Sequence, residues 1–314
     1  MQNNFTLSRK VLGIGAVIGA SLLFGLGYTL GDIITAEGMS ETCNGLWTAL
    51  FAASGNLAIN LLREKNPIQR LPVKQILLCI LAGFASLWLS NCLFLVAYKY
   101  MEVAEVTMLH FLYPSFIAVV MTCVFHEKFT KAKLMAIISS IIGMLIITGG
   151  FRLGHPVGLA AAIGTGITYA LYPLLLETTS LGQVEGSTLL LYMNITSGVS
   201  ALVISVATGR FMLPVNATVL GCQIAVSLTS LAGFLLTAYG VKVIGATNAS
   251  FGSMLEPIIS CVFAAVLLGQ TIGANIYVGA VFIVLSILFT SIQDIPGDRI
   301  KSTVGRTRNE KKLH

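Results

Sequence analysis

Ten apolar stretches follow one another along this chain, at 11–34, 44–62, 74–98, 103–125, 132–150, 157–177, 187–208, 217–240, 244–268 and 272–292. Each reaches or approaches the roughly 20 residues an α-helix needs to cross a bilayer. Hydrophobic residues make up 55% of the sequence and charged residues 10%, with a mean hydropathy of +0.86. Soluble domains carry about 25% charged residues, so this chain has too little polar surface to stay in water. A β-barrel would show alternating segments of about ten residues, and these runs are continuous and about twice that length. The expected fold is an all-α polytopic membrane protein with ten transmembrane helices. Short connectors make it one compact bundle.

The basic residues set its orientation. With the N-terminus in the cytoplasm, sixteen of the nineteen lysines and arginines fall on the inner side, and only Lys99, Arg152 and Arg210 fall outside. That asymmetry is a positive-inside signal with both termini cytoplasmic. The net charge of +6 is therefore a topology signal, and nucleic acid is not an expected partner. The stretch from Val11 is too long for a signal-peptide core, so it reads as a retained first helix. The tail at 293–314 is polar and basic, and is expected to be disordered and cytoplasmic. The six cysteines show no CxxC pairing, so they read as buried thiols rather than a metal site or disulfide framework. Walker A, HExxH and GxSxG patterns are absent, which argues against ATP-driven transport by this chain and against an enzyme. No metal or cofactor is expected.

An internal duplication is visible. A shift of 143 residues lays Lys99 on Lys242, Thr107 on Ser250, Leu112 on Leu255, Pro114 on Pro257, Glu127 on Gln270 and Ala136 on Gly279. A shift of 145 lays Phe24-Gly25 on Tyr169-Ala170 and Asp32 on Glu177. The expected units are 1–150 and 151–292, five helices each. Five is odd, so the second copy inserts upside down. Inverted repeats of this kind build many secondary transporters, with the substrate near midplane at the repeat interface.

With Leu112-Tyr113-Pro114 and Leu255-Glu256-Pro257, each after a small-residue stretch, the chain resembles the EamA-type members of the drug/metabolite transporter superfamily. His126-Glu127, Gly269-Gln270 and the small residues of the fifth and tenth helices carry the same likeness, which covers nearly all the chain except its tail. The first helix departs somewhat, with Phe24-Gly25-Leu26 where the family often has an aromatic-Gly-polar start, and with Tyr28 where an aromatic is common. The resemblance implies transport of a metabolite or amino acid, with export favoured. It does not imply a substrate.

Glu256 is a carboxylate inside an apolar run, directly before a helix-disturbing proline. An acid at a helix centre costs about 2.5–3.5 kcal/mol on insertion scales, so such groups face protein or water. Three readings are open for it: a proton-coupling acid, a counter-ion for a cationic or zwitterionic substrate, or a structural residue. Because the resemblance carries a glutamate here across members with different substrates, a structural or gating role is favoured. Ser250, Ser253, Pro257 and Ser260 share one helical stripe with Glu256 at its edge. Thr107, His110 and Pro114, with Tyr113, form the matching stripe in the fourth segment. A single hydroxyl in such a stripe is most simply a packing group bonded to its own backbone. Taken with His110 and Glu256, the pair of stripes reads as two walls of a cavity, with Pro114 and Pro257 as helix breaks and moving parts. His110 reads either as a proton shuttle or substrate donor, or as a neutral histidine satisfied locally.

Further inward faces are Thr165, Thr168, Tyr169 and Tyr172 in the sixth segment, and Gln223, Ser227, Ser230 and Thr237 with Phe234 in the eighth. Ser86, Ser90 and Asn91 interrupt the third near Trp88. The mixture suits a small amphipathic ligand, and tyrosines can cradle a cation. Asp32, Glu177 and Glu105 sit near helix ends, as solvated groups or as gate salt bridges. The expectation is a secondary transporter working by alternating access on a small polar metabolite, with protons as a candidate coupling ion and the lipid bilayer as its other partner. Alternatives are uptake or exchange of an organic cation, and a non-transporting receptor or assembly factor.

Overall fold

The computed structural model describes residues 2–62, 69–150, 155–214 and 216–292. Arg63, Lys65, Arg152 and the 293–314 tail lie outside them. The described residues form helices and turns, with no strand. In chain order the α-helices are α1 (Gln2–Ala36), α2 (Glu41–Leu61), α3 (Val73–Ala82), α4 (Ser90–Ala97), α5 (Val103–His110), α6 (Tyr113–Cys123), α7 (Lys131–Thr148), α8 (Pro156–Thr178), α9 (Gly186–Ala207), α10 (Ala217–Gly252), α11 (Glu256–Leu268) and α12 (Ala274–Ile292). A π-helical segment, Gly83–Leu89, joins α3 to α4, and a 3₁₀ turn, Ser253–Leu255, joins α10 to α11.

Seven of the helical stretches are long and apolar enough to cross a membrane: Arg9–Ala36, Val73–Ala97, Val103–Cys123, Lys131–Thr148, Pro156–Thr178, Gly186–Ala207 and Ala217–Leu268. The last has 52 residues, which at 1.5 Å per residue is about 78 Å, over twice a ~30 Å bilayer core. It turns back at Gly245, whose φ of 83° and ψ of 159° only glycine adopts without strain. Thr237 and Ser253 therefore line the same small cavity, where a straight helix would hold them about 24 Å apart. α2 is not among the seven. Asn44, Thr48, Ser54, Asn56 and Asn60 make it more polar, and its buried Asn56 and Asn60 amides bond to carbonyls one turn back, at 2.9 Å each.

Both Leu-x-Pro positions interrupt a helix. α5 ends at His110 and α6 starts at Tyr113, with Pro114 in its first turn; α11 starts at Glu256, with Pro257 in the same position. Proline lacks a backbone N–H, and at a helix start that donor has no helical partner to lose. Both interrupted helices also end alike. His126 and Gly269 take left-handed φ of 57° and 67°, and the next N–H closes on a carbonyl six residues back, Glu127 to Met121 and Gln270 to Ala264. Such closures satisfy carbonyls left over at a helix C-terminus.

Helix partners follow one scheme. α2 packs on α9, and α7 on α12; α1 packs on α10 and α11, while α8 packs on α4, α5 and α6. The α7–α12 crossing is close because glycines face each other. A Cβ on Gly143 would stand 3.0 Å from the Gly279 carbonyl, and the Ser139 hydroxyl donates to the Phe282 carbonyl at 2.8 Å. In membrane interfaces, small residues let backbones approach and hydroxyls bond across helices.

Candidate functional site

The two interrupted helices bring their breaks together with α1 and α8, and Glu256 lies where they meet. It is 2% exposed. Its Oε2 accepts a hydrogen bond from the Tyr28 phenol of α1 at 3.3 Å, and its Oε1 has no hydrogen-bond partner among the described residues. The Ser253 hydroxyl faces both this carboxylate and the Tyr113 phenol. Tyr113 and Tyr169 are close enough to Glu256 to interact with it electrostatically. Glu256 forms no ion pair with a described lysine or arginine. Tyr28 itself is 47% exposed, while its hydroxyl turns inward onto the buried acid.

Beside the acid is an aromatic cluster. Tyr113 meets Tyr169 edge-on at 4.9 Å between ring centroids, and the buried His110 ring lies 5.1 Å from Tyr169, 5.6 Å from Tyr113 and 4.8 Å from Phe94. His110 Nδ1 is 3.1 Å from the Thr165 hydroxyl, which donates its proton to the Ala162 carbonyl at 2.6 Å. With that proton committed, Nδ1 is the donor of the pair, and Nε2 keeps a lone pair. His110 is thus satisfied by Thr165 on α8, a different partner from Thr107 or Tyr113 on its own segment. Gly166 lets α8 approach this break, since a Cβ there would stand 2.9 Å from the His110 carbonyl.

Tyr113, Tyr169, Tyr172, Thr237, Ser250 and Ser253 share a cavity of about 10 Å³, closed further by Pro173, Val241 and Ala249. That volume holds about one water. Several hydroxyls along it are turned to backbone carbonyls: Ser250 to Thr247 at 2.8 Å, Thr237 to Gly233 at 2.9 Å and Tyr172 to Phe234 at 3.1 Å. Thr107 likewise donates to Val103 at 2.8 Å and stands outside this cavity. Ser86 and Ser90 bond across to α8, on the Thr168 and Thr165 carbonyls at 3.0 and 3.2 Å, so they join helices. Asn91 is exposed, and Ser230 is half-buried outside the cavity lining. Tyr28 is the contact that sequence reasoning left out of the site. No local pattern marks it, because its partner lies 228 residues away.

One end of the bundle is tied shut. The Glu177 carboxylate accepts the Ala246 N–H just past the Gly245 break, and Lys242 Nζ donates to the Val184 carbonyl at 2.9 Å. The Ser187 and Thr188 hydroxyls converge on buried Asn60 Oδ1 at 2.9 and 3.0 Å, and the Glu185 N–H donates to Gln69 at 2.9 Å. At the other end, Trp47 donates to the Met212 carbonyl at 2.9 Å and Asn216 to Glu37 at 3.0 Å, while Asp32 and Lys99 are exposed.

A bundle of long apolar helices folded around a buried acid and broken helices defines a multi-pass membrane protein. The model of the EamA-like transporter family matches twice, over residues 11–149 and 156–292, and the chain belongs to that family. It is 25% identical over 298 residues to an uncharacterized transporter, YyaM, of Bacillus subtilis (strain 168), spanning 88% of this chain and 92% of that protein. A solved structure described only as the crystal structure of a protein superimposes with a TM-score of 0.72 at 15% identity, over 91% of this chain and 97% of its own. At that identity the likeness concerns the fold. The chain is accordingly a membrane transporter, with a small-molecule substrate and lipid as its partners.

Proposed function

We propose that this transporter carries a small polar organic metabolite bearing an amine, such as an amino acid, by alternating access, and works as an exporter in the cytoplasmic membrane. Ten spans form two inverted five-helix repeats, 1–150 and 151–292, with both termini and the 293–314 tail in the cytoplasm. The matching C-terminal closures at His126 and Gly269 support the duplication, as do partner helices that exchange between halves: α1 against α10 and α11, α8 against α4, α5 and α6. Inverted repeats rocking around a midplane site are an established route to alternating access.

The observation that carries the reading is the unpaired carboxylate oxygen of Glu256, buried among tyrosines between the two breaks. An ionised acid in such a place needs a partner. A proton or a substrate ammonium group can each supply it, which couples export to the proton gradient. Pro114 and Pro257 interrupt the helices that would move. A second reading, uptake or exchange of a permanently charged organic cation, draws on the same tyrosines, whose faces attract quaternary ammonium groups.

The test is flux of labelled amino acids, primary amines and quaternary amines in liposomes holding the purified protein. Counterflow of at least one amine-bearing compound is expected. Movement confined to quaternary compounds selects the second reading, and no flux of any compound by folded protein contradicts both.

A further inference from the structure

We propose that Glu177 and Asp32 are alternating latches of the two gates, each carboxylate closing one end of the bundle by capping the helix that begins opposite it. This rests on the alternating-access reading, and it assigns residues to the step that reading leaves unassigned. Glu177 is latched in this structure. Its carboxylate accepts the N–H of Ala246, the first helical residue after the Gly245 break. The first N–H groups of a helix have no internal partners and carry partial positive charge, so a carboxylate there caps the end and favours its docking. Lys242, just before the break, adds a bond to the Val184 carbonyl.

The repeat offsets place the same parts at the other end. A shift of 143 takes Gly245 to Glu102 and Ala246 to Val103, and Glu102 is the N-cap position and Val103 the first residue of α5. The 145 shift takes Glu177 to Asp32 and Val184 to Met39, and the 143 shift takes Lys242 to Lys99. Here the parts are separated. Glu102 makes no side-chain cap bond, Asp32 and Lys99 are exposed, and Met39 is buried. Asp32 is nevertheless at hand, since it and Glu41 act electrostatically on Tyr98, which precedes Lys99. Glu105, in the first turn of α5 and buried, is a further carboxylate at that end, besides Glu37, Glu41 and Glu102. One set of repeat-related groups is engaged and the other disengaged, which is the asymmetry an inverted pair has in one of its two states. Breaking the first latch and forming the second exchanges the open end.

The test reads conformation, not transport, so it needs no known substrate. In a chain with its six native cysteines replaced, a reporter thiol is placed by Gly31→Cys at the open end or by Val184→Cys at the closed end. A methyl on Gly31 would make only an ordinary 3.5 Å contact with Asn44. Labelling by a membrane-impermeant maleimide, applied to each side in turn, should be fast at position 31 and slow at position 184. Glu177→Ala should speed labelling at 184 and slow it at 31, the ratio of the two rates changing by about tenfold or more, as loss of one charge-assisted bond shifts a two-state population. Adding Asp32→Ala should restore fast labelling at 31, because the second latch is then missing too. Labelling that rises at 184 without falling at 31 shows general loosening and overturns the proposal, as does a double variant that behaves like Glu177→Ala alone. If Glu177→Ala does not fold, Glu177→Gln keeps an acceptor without the charge. An intermediate shift in the same directions is expected, and parent-like labelling at both positions overturns the proposal. Flux in liposomes with unchanged labelling leaves the transporter reading standing and removes the latch; exchanged labelling without flux of any compound does the reverse.

Discussion

Tyr28 and Glu256 are 228 residues apart in the chain and share a hydrogen bond of 3.3 Å at the centre of the bundle. It ties the first helix to the break before Pro257, and it joins an open-facing phenol to a buried acid. The bond makes Tyr28 a contact through which anything reaching Glu256 is felt. Tyr28→Phe keeps the ring and removes only the donor. A hydrogen bond to a charged group contributes about 1.5–3 kcal/mol, so substrate affinity or transport rate should change by about tenfold or more. Thermal stability should move less than transport does, because the ring and its packing are kept. Side-by-side Km and melting measurements check both.

Thr165 should prove structural. Its hydroxyl accepts from His110 Nδ1 while bonded to the Ala162 carbonyl. Thr165→Val keeps the shape but leaves a buried ring N–H without a partner, costing about 1–3 kcal/mol. His110→Ala should cost at least as much, because a ring packed on Phe94, Tyr113 and Tyr169 is lost as well. A fall in melting temperature with substrate affinity unchanged is expected for Thr165→Val. Weaker substrate binding without loss of stability would place the His110–Thr165 pair in contact with substrate.

Gly83 opens the π-helical segment and touches α9. A methyl there would stand 2.6 Å from the Met193 Cα, and backbone cannot swing aside as a side-chain tip can. Gly83→Val should destabilise the protein by about 1–3 kcal/mol through overpacking, with reduced yield of folded protein in detergent. Gly15, whose Cβ would meet nothing within 4 Å, is the control, and Gly15→Val should leave yield unchanged.

How much of this was legible beforehand depended on whether a signal was local. The apolar runs and the two Leu-x-Pro interruptions are short-range patterns, and the helices and both breaks lie where those patterns put them. The aligned order of Lys99, Pro114 and Glu127 with Lys242, Pro257 and Gln270 gave no sign of the paired C-terminal closures, which depend on backbone conformation at His126 and Gly269. The site was harder. Glu256, Tyr113, Tyr169 and Ser253 do come together. Ser86 and Ser90 looked like cavity residues because they interrupt an apolar run, yet helix packing needs hydroxyls in the same places. Rotation about the helix axis decides between the two uses, and tertiary contact fixes that rotation. Tyr28 stands where the family resemblance puts an aromatic, yet that gave it no place in the site. Nothing near it in sequence differs from an ordinary membrane-embedded tyrosine, and its meaning comes from a partner in the other half of the chain. The gap expected at 241–243 falls just before the turn, Gly245 lies inside the ninth apolar stretch, and nothing local marked it as the start of a capped helix.

The central claim, that Glu256 is the carboxylate through which an amine-bearing substrate and protons exchange, meets its most direct test in liposomes with an imposed pH gradient. Substrate uptake driven by that gradient is measured for the parent protein and for Glu256→Gln, which fills the same space with no ionisable group. The expected result is gradient-driven uptake by the parent, and in the variant no response to the gradient and substrate binding weakened about tenfold or more. A Glu256→Gln protein whose uptake still follows the pH gradient as the parent does would contradict it.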